Sequence, residues 1–559
     1  MHLPLLPAPR RVTLTGLELD LSSLPFLEGI QPESVEPWGE EAYRLEIGPE
    51  GIRLYAHSEA GLRWGRATLA QLRTLSPVPA LQIDDAPLFP HRGVMLDISR
   101  DRVPTMESLF ALVDHLAAWK MNHLQLYVEH TIAYAGHEAV WGHASPISLE
   151  ELLLLDQYCV ERGVALNANQ NSLGHFERWL CHPHYAPLGE RMDGSIIQNI
   201  RYSRPNTLCP LDSRVMPLLE DLLGQQLPRC SGAYANIGCD EPWDLGQGRS
   251  AEACRERGKS RVFSEHVNAV AERVRKLGKI PQFWCDPEPH EDDSLTRDLV
   301  ALVWGYEEQD DFKKRAKAHH KVGRGVWVAP GTSCWNSFTG RSWNRRANLN
   351  NAAAVREADG FLCTAWGDGG HPQAWPVTLA GFADAAMAAW SGPARYDDHA
   401  LGLHVFGEAE TGNWIYRLGA VDEELSRGWR RARCGEAQPP IFNASAVWRE
   451  FNTPFHDPAG PGDTSAWEEI VLRLARLEGD FLPGGNARMG RECQLMLSLA
   501  RWTAERALMR RRSCSMEDRD VLAQQMVGLV EEYRSQWLDR SRYGGLERSL
   551  QRLITHLVS

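Results

Sequence analysis

Between Phe89 and Trp366 the chain repeats one pattern, a short apolar β-rich segment followed by a stretch with helical spacing. Eight segments of strand character can be read: Gly93–Ile98, His123–Val128, Val164–Ala168, Ala233–Gly238, Ile280–Trp284, Leu299–Trp304, Gly325–Ala329 and Phe361–Trp366. Strands that alternate with helices must run parallel, because each helix carries the chain back to the starting edge. The first intervening helix shows Leu109, Leu112, Val113 and Leu116 on one face. The second opens on Ser148 and Glu151, a pair able to satisfy each other's free backbone donors. The fourth carries Phe263, Val267, Val270 and Val274 on one stripe. Eight strands and eight helices predict an α/β fold, a (β/α)8 TIM-type barrel, over residues 87–395. An open doubly wound sheet is the alternative, but no glycine-rich phosphate turn follows the first strand.

The flanks read differently. In residues 1–86, Tyr43 to Ile47 alternates like a half-buried strand and Gly61 to Leu75 reads as a helix, predicting a small α+β domain. In residues 396–559 the strand signals stop. Trp467, Ile470, Val471, Leu474 and Leu477 mark one amphipathic helix, and Leu522, Met526 and Leu529 another, predicting an all-helical C-terminal domain. Packing, or a homodimer formed through this domain, is its expected role.

A net charge of −13 disfavours nucleic acid as a partner, since phosphate binding needs a concentrated basic surface. No apolar run approaches the roughly 18 residues of a membrane span. The first dozen residues carry Pro4, Pro7 and Pro9 and no basic-then-apolar order, and the twelve cysteines include no C-x-x-C pair. A cytoplasmic protein with reduced thiols is the expectation. His175, His182 and His184 fit no ligand spacing, so neither a metal nor a cofactor is predicted.

A barrel of this kind places its site at the C-terminal ends of the strands. Strand 1 is preceded by Arg92 and carries Asp97, strand 2 ends at Glu129-His130, and strand 3 runs on to His175. Strand 4 leads to Asp240-Glu241, strands 5 and 6 end in Trp284 and Trp304, and strand 8 ends in Trp366-Gly367-Asp368. Carboxylates and a guanidinium bond sugar hydroxyls in fixed directions, and indole faces stack on a pyranose, so the predicted ligand is a carbohydrate. Adjacent carboxylates cannot easily flank one glycosidic bond. They suit a scheme in which one protonates the leaving oxygen and the other positions a nucleophile that the substrate supplies.

The segment Phe89-Pro90-His91-Arg92-Gly93-Val94-Met95-Leu96-Asp97-Ile98-Ser99-Arg100 resembles the first barrel strand of the family 20 glycoside hydrolases, the β-N-acetylhexosaminidases. Asn236-Ile237-Gly238-Cys239-Asp240-Glu241 is similar to that family's catalytic His-x-Gly-Gly-Asp-Glu motif, and Trp366-Gly367-Asp368 with Trp375-Pro376 and Trp390 to its last strand and closing helix. The resemblance implies a retaining exo-β-N-acetylhexosaminidase acting on an amino-sugar glycoside through an oxazolinium intermediate. It implies Glu241 as general acid and base, and Asp240 as the group that orients the 2-acetamido substituent. Arg92 and Asp368 would bind hydroxyls, Trp284, Trp304 and Trp366 would wall the sugar, and Glu129 and His175 would stand nearby. Three departures mark a divergent branch: Asn236 and Cys239 replace the usual His and Gly, only Glu129 remains of an acidic pair, and no Tyr follows strand 7. Trp335 or Asn336 is the expected substitute for that Tyr. Two other readings stay open, a glycosidase of the same scaffold with a different terminal sugar and a non-catalytic carbohydrate-binding protein.

Overall fold

The computed structural model describes residues 3–197, 200–202, 205–286, 294–433, 443–457, 460–481, 486–512 and 514–555. Five strands form the N-terminal sheet: β1 (Arg11–Leu19), β2 (Phe26–Ile30), β3 (Tyr43–Gly48), β4 (Gly51–Ala56) and β5 (Val78–Asp85), in the order β1-β5-β3-β4-β2. Alternation in β3 buries Tyr43, Leu45 and Ile47 against the helix Glu59–Thr74, which begins where the Ser58 side chain accepts from the Gly61 N–H.

Eight parallel strands then close a barrel: β6 (His91–Asp97), β7 (His123–Tyr127), β8 (Ala165–Asn169), and, after the short pair β9 (Ser195–Ile197) and β10 (Ile200–Tyr202), β11 (Tyr234–Asn236), β12 (Ile280–Cys285), β13 (Val300–Trp304), β14 (Gly325–Ala329) and β15 (Gly360–Ala365). Every strand read from the sequence is there, within a residue or two at each end. Ser148 and Glu151 form the reciprocal cap at the helix Leu149–Glu161, and the apolar stripes of Met106–Ala118 and Lys259–Lys276 are buried.

Among the described residues seven of the eight expected helices follow their strands, and the one expected between β12 and β13 falls on a connection whose residues 287–293 lie outside the described residues.

Two features fasten the layers. The helix Trp375–Ser391 is buried along nearly its whole length, as a helix apolar on every side must be. It packs on β6 and β15 and on the C-terminal helix Ala487–Arg511. On the opposite, N-terminal end of the barrel, Trp390 joins the apolar core of the small domain. There Lys120 Nζ donates to Asp85 Oδ2 and to the Tyr43 hydroxyl, 2.8 Å each. After Asp397 every described element of more than an isolated bridge is a helix, ending in Thr464–Gly479, Ala487–Arg511, Met516–Arg540 and Leu546–Ile554. No described helix is long and apolar enough to cross a membrane.

Candidate active site

The chain leaves β11 through a turn that few residues tolerate. Gly238, Cys239 and Glu241 have φ of 67°, 71° and 48°, the left-handed region that costs a side-chain-bearing residue energy. The turn is held from several sides. The Gly238 N–H donates to Asn236 Oδ1 at 2.9 Å, Cys239 Sγ meets Ser172 Oγ at 3.1 Å, and the Glu241 N–H donates to Asp286 Oδ2 at 3.0 Å. Asn236, in place of the usual His, also donates to Gln125 Oε1 at 3.2 Å, joining an amide network that fills this half of the barrel interior. Gly174 is required in the neighbouring loop, because a Cβ there would lie 2.3 Å from the Asp240 carbonyl.

Asp240 and Glu241 enter one pocket with Arg100, His175, Trp284, Trp304, Tyr306, Trp366, Asp368 and Asn443. His175 Nε2 stands 3.3 Å from Asp240 Oδ2 and 3.5 Å from Glu241 Oε2, and its Nδ1 is 3.8 Å from Glu129 Oε1. Burial opposes charge on His175, but Asp240 and Glu241 outweigh it and raise the imidazole well above its ordinary range. Burial likewise raises Glu129, against the pull of Arg100, and the Tyr127 hydroxyl donates to Glu129 at 3.0 Å. His175, Asp240 and Glu241 each offer a ligand atom within 4.8 Å of the others, a spacing that would suit a cation as well as a shared proton.

The aromatic wall is continuous. Tyr306 stacks on Trp304 with centroids 5.3 Å apart, and Trp366 lies 5.8 Å from Trp284. The indole N–H groups of Trp284, Trp304 and Trp366 are buried without a partner among the described residues, as is Asp240 Oδ1. Buried polar atoms are normally satisfied, so these point to groups that a ligand brings.

Two expected positions change. Arg92 begins β6, at the end of the barrel remote from the pocket. Its guanidinium is fully buried against the small domain, bonded to Glu41 at 2.5 Å and to the carbonyls of Lys120, Phe89 and Pro90. The arginine in the pocket is Arg100, just past the other end of the strand. It is sandwiched by Tyr127 and Trp366 and lies 3.1 Å from Asp97, 3.5 Å from Glu129 and 3.6 Å from Asp368. The rule that barrel sites lie past strand ends already favoured it. Trp335 does not face the pocket either. It is fully buried behind Tyr306, ring edge to ring face at 5.1 Å, because the chain turns inward after β14; Asn336 does not line the pocket, and its backbone carbonyl accepts from the Ser445 N–H.

Three further residues were not anticipated. Tyr306 lies two positions past β13, and Asp286 one past β12. Burial, with Asp240 beside it, pushes the Asp286 carboxyl up to about 7. Asn443 comes from the helical region. Its N–H donates to Glu307 Oε1 at 2.9 Å, the oxygen that also holds Arg341 at 2.8 Å. The helical region therefore supplies part of the pocket, where the sequence suggested packing or a homodimer.

Residues 10–86 match the family model described as glycosyl hydrolase family 20, domain 2, and residues 89–135 match the catalytic domain of the same family. Both matched models describe domains of glycoside hydrolase family 20, and the chain is similar to that family over these residues. Among curated relatives, a beta-hexosaminidase of Akkermansia muciniphila is 25% identical over 323 residues, 50% of this chain and 62% of that protein. A beta-N-acetylhexosaminidase of Cellulomonas fimi is 26% identical over 287 residues, 45% and 56% of the two chains. The chain thus spans under two thirds of the length of these relatives. The fold is shared with family 20 structures: a chitobiase of Flavobacterium johnsoniae has a TM-score of 0.59 at 17% identity, covering 99% of both chains. An exo beta-N-acetylglucosaminidase of Vibrio harveyi, solved with N-acetylglucosamine, has a TM-score of 0.59 at 16% identity, covering 75% and 78%.

Proposed function

We propose that the chain is a retaining exo-β-N-acetylhexosaminidase in which the substrate's own acetamide is the nucleophile. The observation that carries this reading is that Asp240 and Glu241, neighbours in sequence, both reach one aromatic-walled pocket. From adjacent backbone positions they do not straddle a glycosidic bond as an acid and an opposed nucleophile would. A terminal sugar stacked in the tryptophan pocket brings its acetamide oxygen to C1. That attack is intramolecular and needs no enzyme carboxylate.

In the first step the bond from the acetamide oxygen to C1 forms, the bond from C1 to the leaving oxygen breaks, and Glu241 gives that oxygen its proton. Asp240 accepts from the acetamide N–H and offsets the positive charge of the oxazolinium, a fixed charge acting in a largely buried site. The cationic His175 steadies the carboxylate left on Glu241. Tyr306 takes the position of the missing tyrosine and donates its hydroxyl to the acetamide oxygen. In the second step Glu241 removes a proton from water, which opens the oxazolinium at C1 and restores the starting anomer.

A panel of nitrophenyl glycosides tests this. Hydrolysis of the N-acetyl-β-glucosaminide or N-acetyl-β-galactosaminide is expected, with the β-anomer appearing first by proton NMR. Preference for a sugar lacking the 2-acetamido group, or first release of the α-anomer, would overturn it. Ligand binding without turnover of any glycoside would instead support a carbohydrate-binding protein.

A further inference from the structure

Behind the wall formed by Arg100, Glu129 and His175 lies a second recess, of about 230 Å³. The same loops build both: Asp101 follows Arg100, His130 follows Glu129, and Arg178 is three residues past His175. The C-terminal helix Leu546–Ile554 closes the recess with Arg548. Its charge is unbalanced. Arg178 and Arg548 both bond Asp101 Oδ1 at 2.9 Å, and Arg552 lies 3.3 Å from Oδ2. Asp101 faces all three guanidinium groups, of which Arg178 also has Glu177 at 3.9 Å, and Asp101 is the sole acid lining the recess among the described residues. Histidines 130, 143 and 182 complete the wall.

His130 supplies an independent sign of a missing ligand. It is 94% buried, from a relative exposure of 6%, and its Nδ1 has no partner among the described residues. Burial, with Arg178 and His182 adding positive potential, drives its imidazole down to about 3, so the ring is neutral and can donate one N–H without carrying charge. Guanidinium groups match tetrahedral oxyanions in geometry and hold them by charge-assisted bonds.

We propose that this recess is an anion site for a phosphate or sulfate group, bound by Arg178 and Arg548 with a histidine N–H as a further donor. The site is separate from the glycosidase pocket and does not depend on the activity proposed above. The group could arrive as a free ion or on a sugar.

Isothermal titration of the full chain with inorganic phosphate, at constant ionic strength, tests it. One saturable site is expected, weakened at least fivefold by Arg548→Ala and, separately, by His143→Ala. His143 is exposed, so that variant keeps the test alive should loss of Arg548 loosen the helix. Glucose 6-phosphate distinguishes the sources: tenfold tighter binding than inorganic phosphate assigns the group to a sugar, and equal or weaker binding assigns it to a free ion. No saturable binding, or binding indifferent to both substitutions, would leave the cluster a structural latch and overturn the proposal.

Discussion

The two ends of the barrel use the same residue types in opposite ways. At the N-terminal end, Arg92 and Lys120 are buried with every charge answered: Glu41, Asp85, Tyr43 and three backbone carbonyls surround them, and Trp390 lies beneath both cations. At the C-terminal end, Arg100, His175 and six carboxylates crowd together while Asp240 Oδ1, Asp286 Oδ1 and three indole N–H groups go unanswered. Buried groups that pair with each other hold domains together; buried groups left unpaired are unstable alone and are completed by a ligand. Burial by itself therefore does not separate scaffold from site; between these two clusters, satisfaction of the charged groups does.

That contrast is open to direct attack. The largest effect is expected from Glu241→Gln, which should lower kcat on glycosides with poor leaving groups by about 10²–10⁴-fold while leaving the denaturation midpoint unchanged. A midpoint that fell sharply would place Glu241 among the scaffold groups. Lys120→Met should do the reverse, costing about 3–5 kcal/mol in urea unfolding by stranding Asp85, with kcat within twofold of wild type. Tyr306→Phe should lower kcat/KM for acetamido substrates about tenfold, the scale of one lost hydrogen bond, and an unchanged value would free Tyr306 of the role assigned to it. The smallest effect concerns Asp286. The folded chain keeps that proton up to about pH 7, whereas an unfolded aspartate releases it near about pH 4. The folded state binds the extra proton in that interval, so this contribution to stability is full below about pH 4 and is lost as pH rises towards 7. Asp286→Asn should flatten this slope, read as thermal midpoints across pH 4 to 8; an unaltered slope would mean another group carries it.

Much of this was legible locally. Strand positions followed from period and composition, and the reciprocal cap at Ser148 from that residue and Glu151 alone. Asp240 and Glu241 stood out because an apolar strand, a glycine and two acids lie within six positions. What escaped depended on distance or on direction. Arg92 and Arg100 share one motif, and which of them reaches the pocket depends on which end of β6 it occupies. Tyr306 was hidden because the missing tyrosine was sought after β14, whereas space can be filled equally well from β13. Asn443 lies 136 residues from the Glu307 that holds it, and no local pattern announces such a partner.

The bond between Arg548 and Asp101 joins positions 447 residues apart. Synthesis proceeds from the N-terminus at about 5–20 residues per second, so the loop after β6 waits at least tens of seconds for its last partner. Through that interval Asp101 has Arg178 to lean on, and the outer wall of the basic recess does not yet exist. The outer wall of the recess is thus added only after every barrel strand has been made, and a chain cut just before Leu546 would keep all those strands and an unfinished rim.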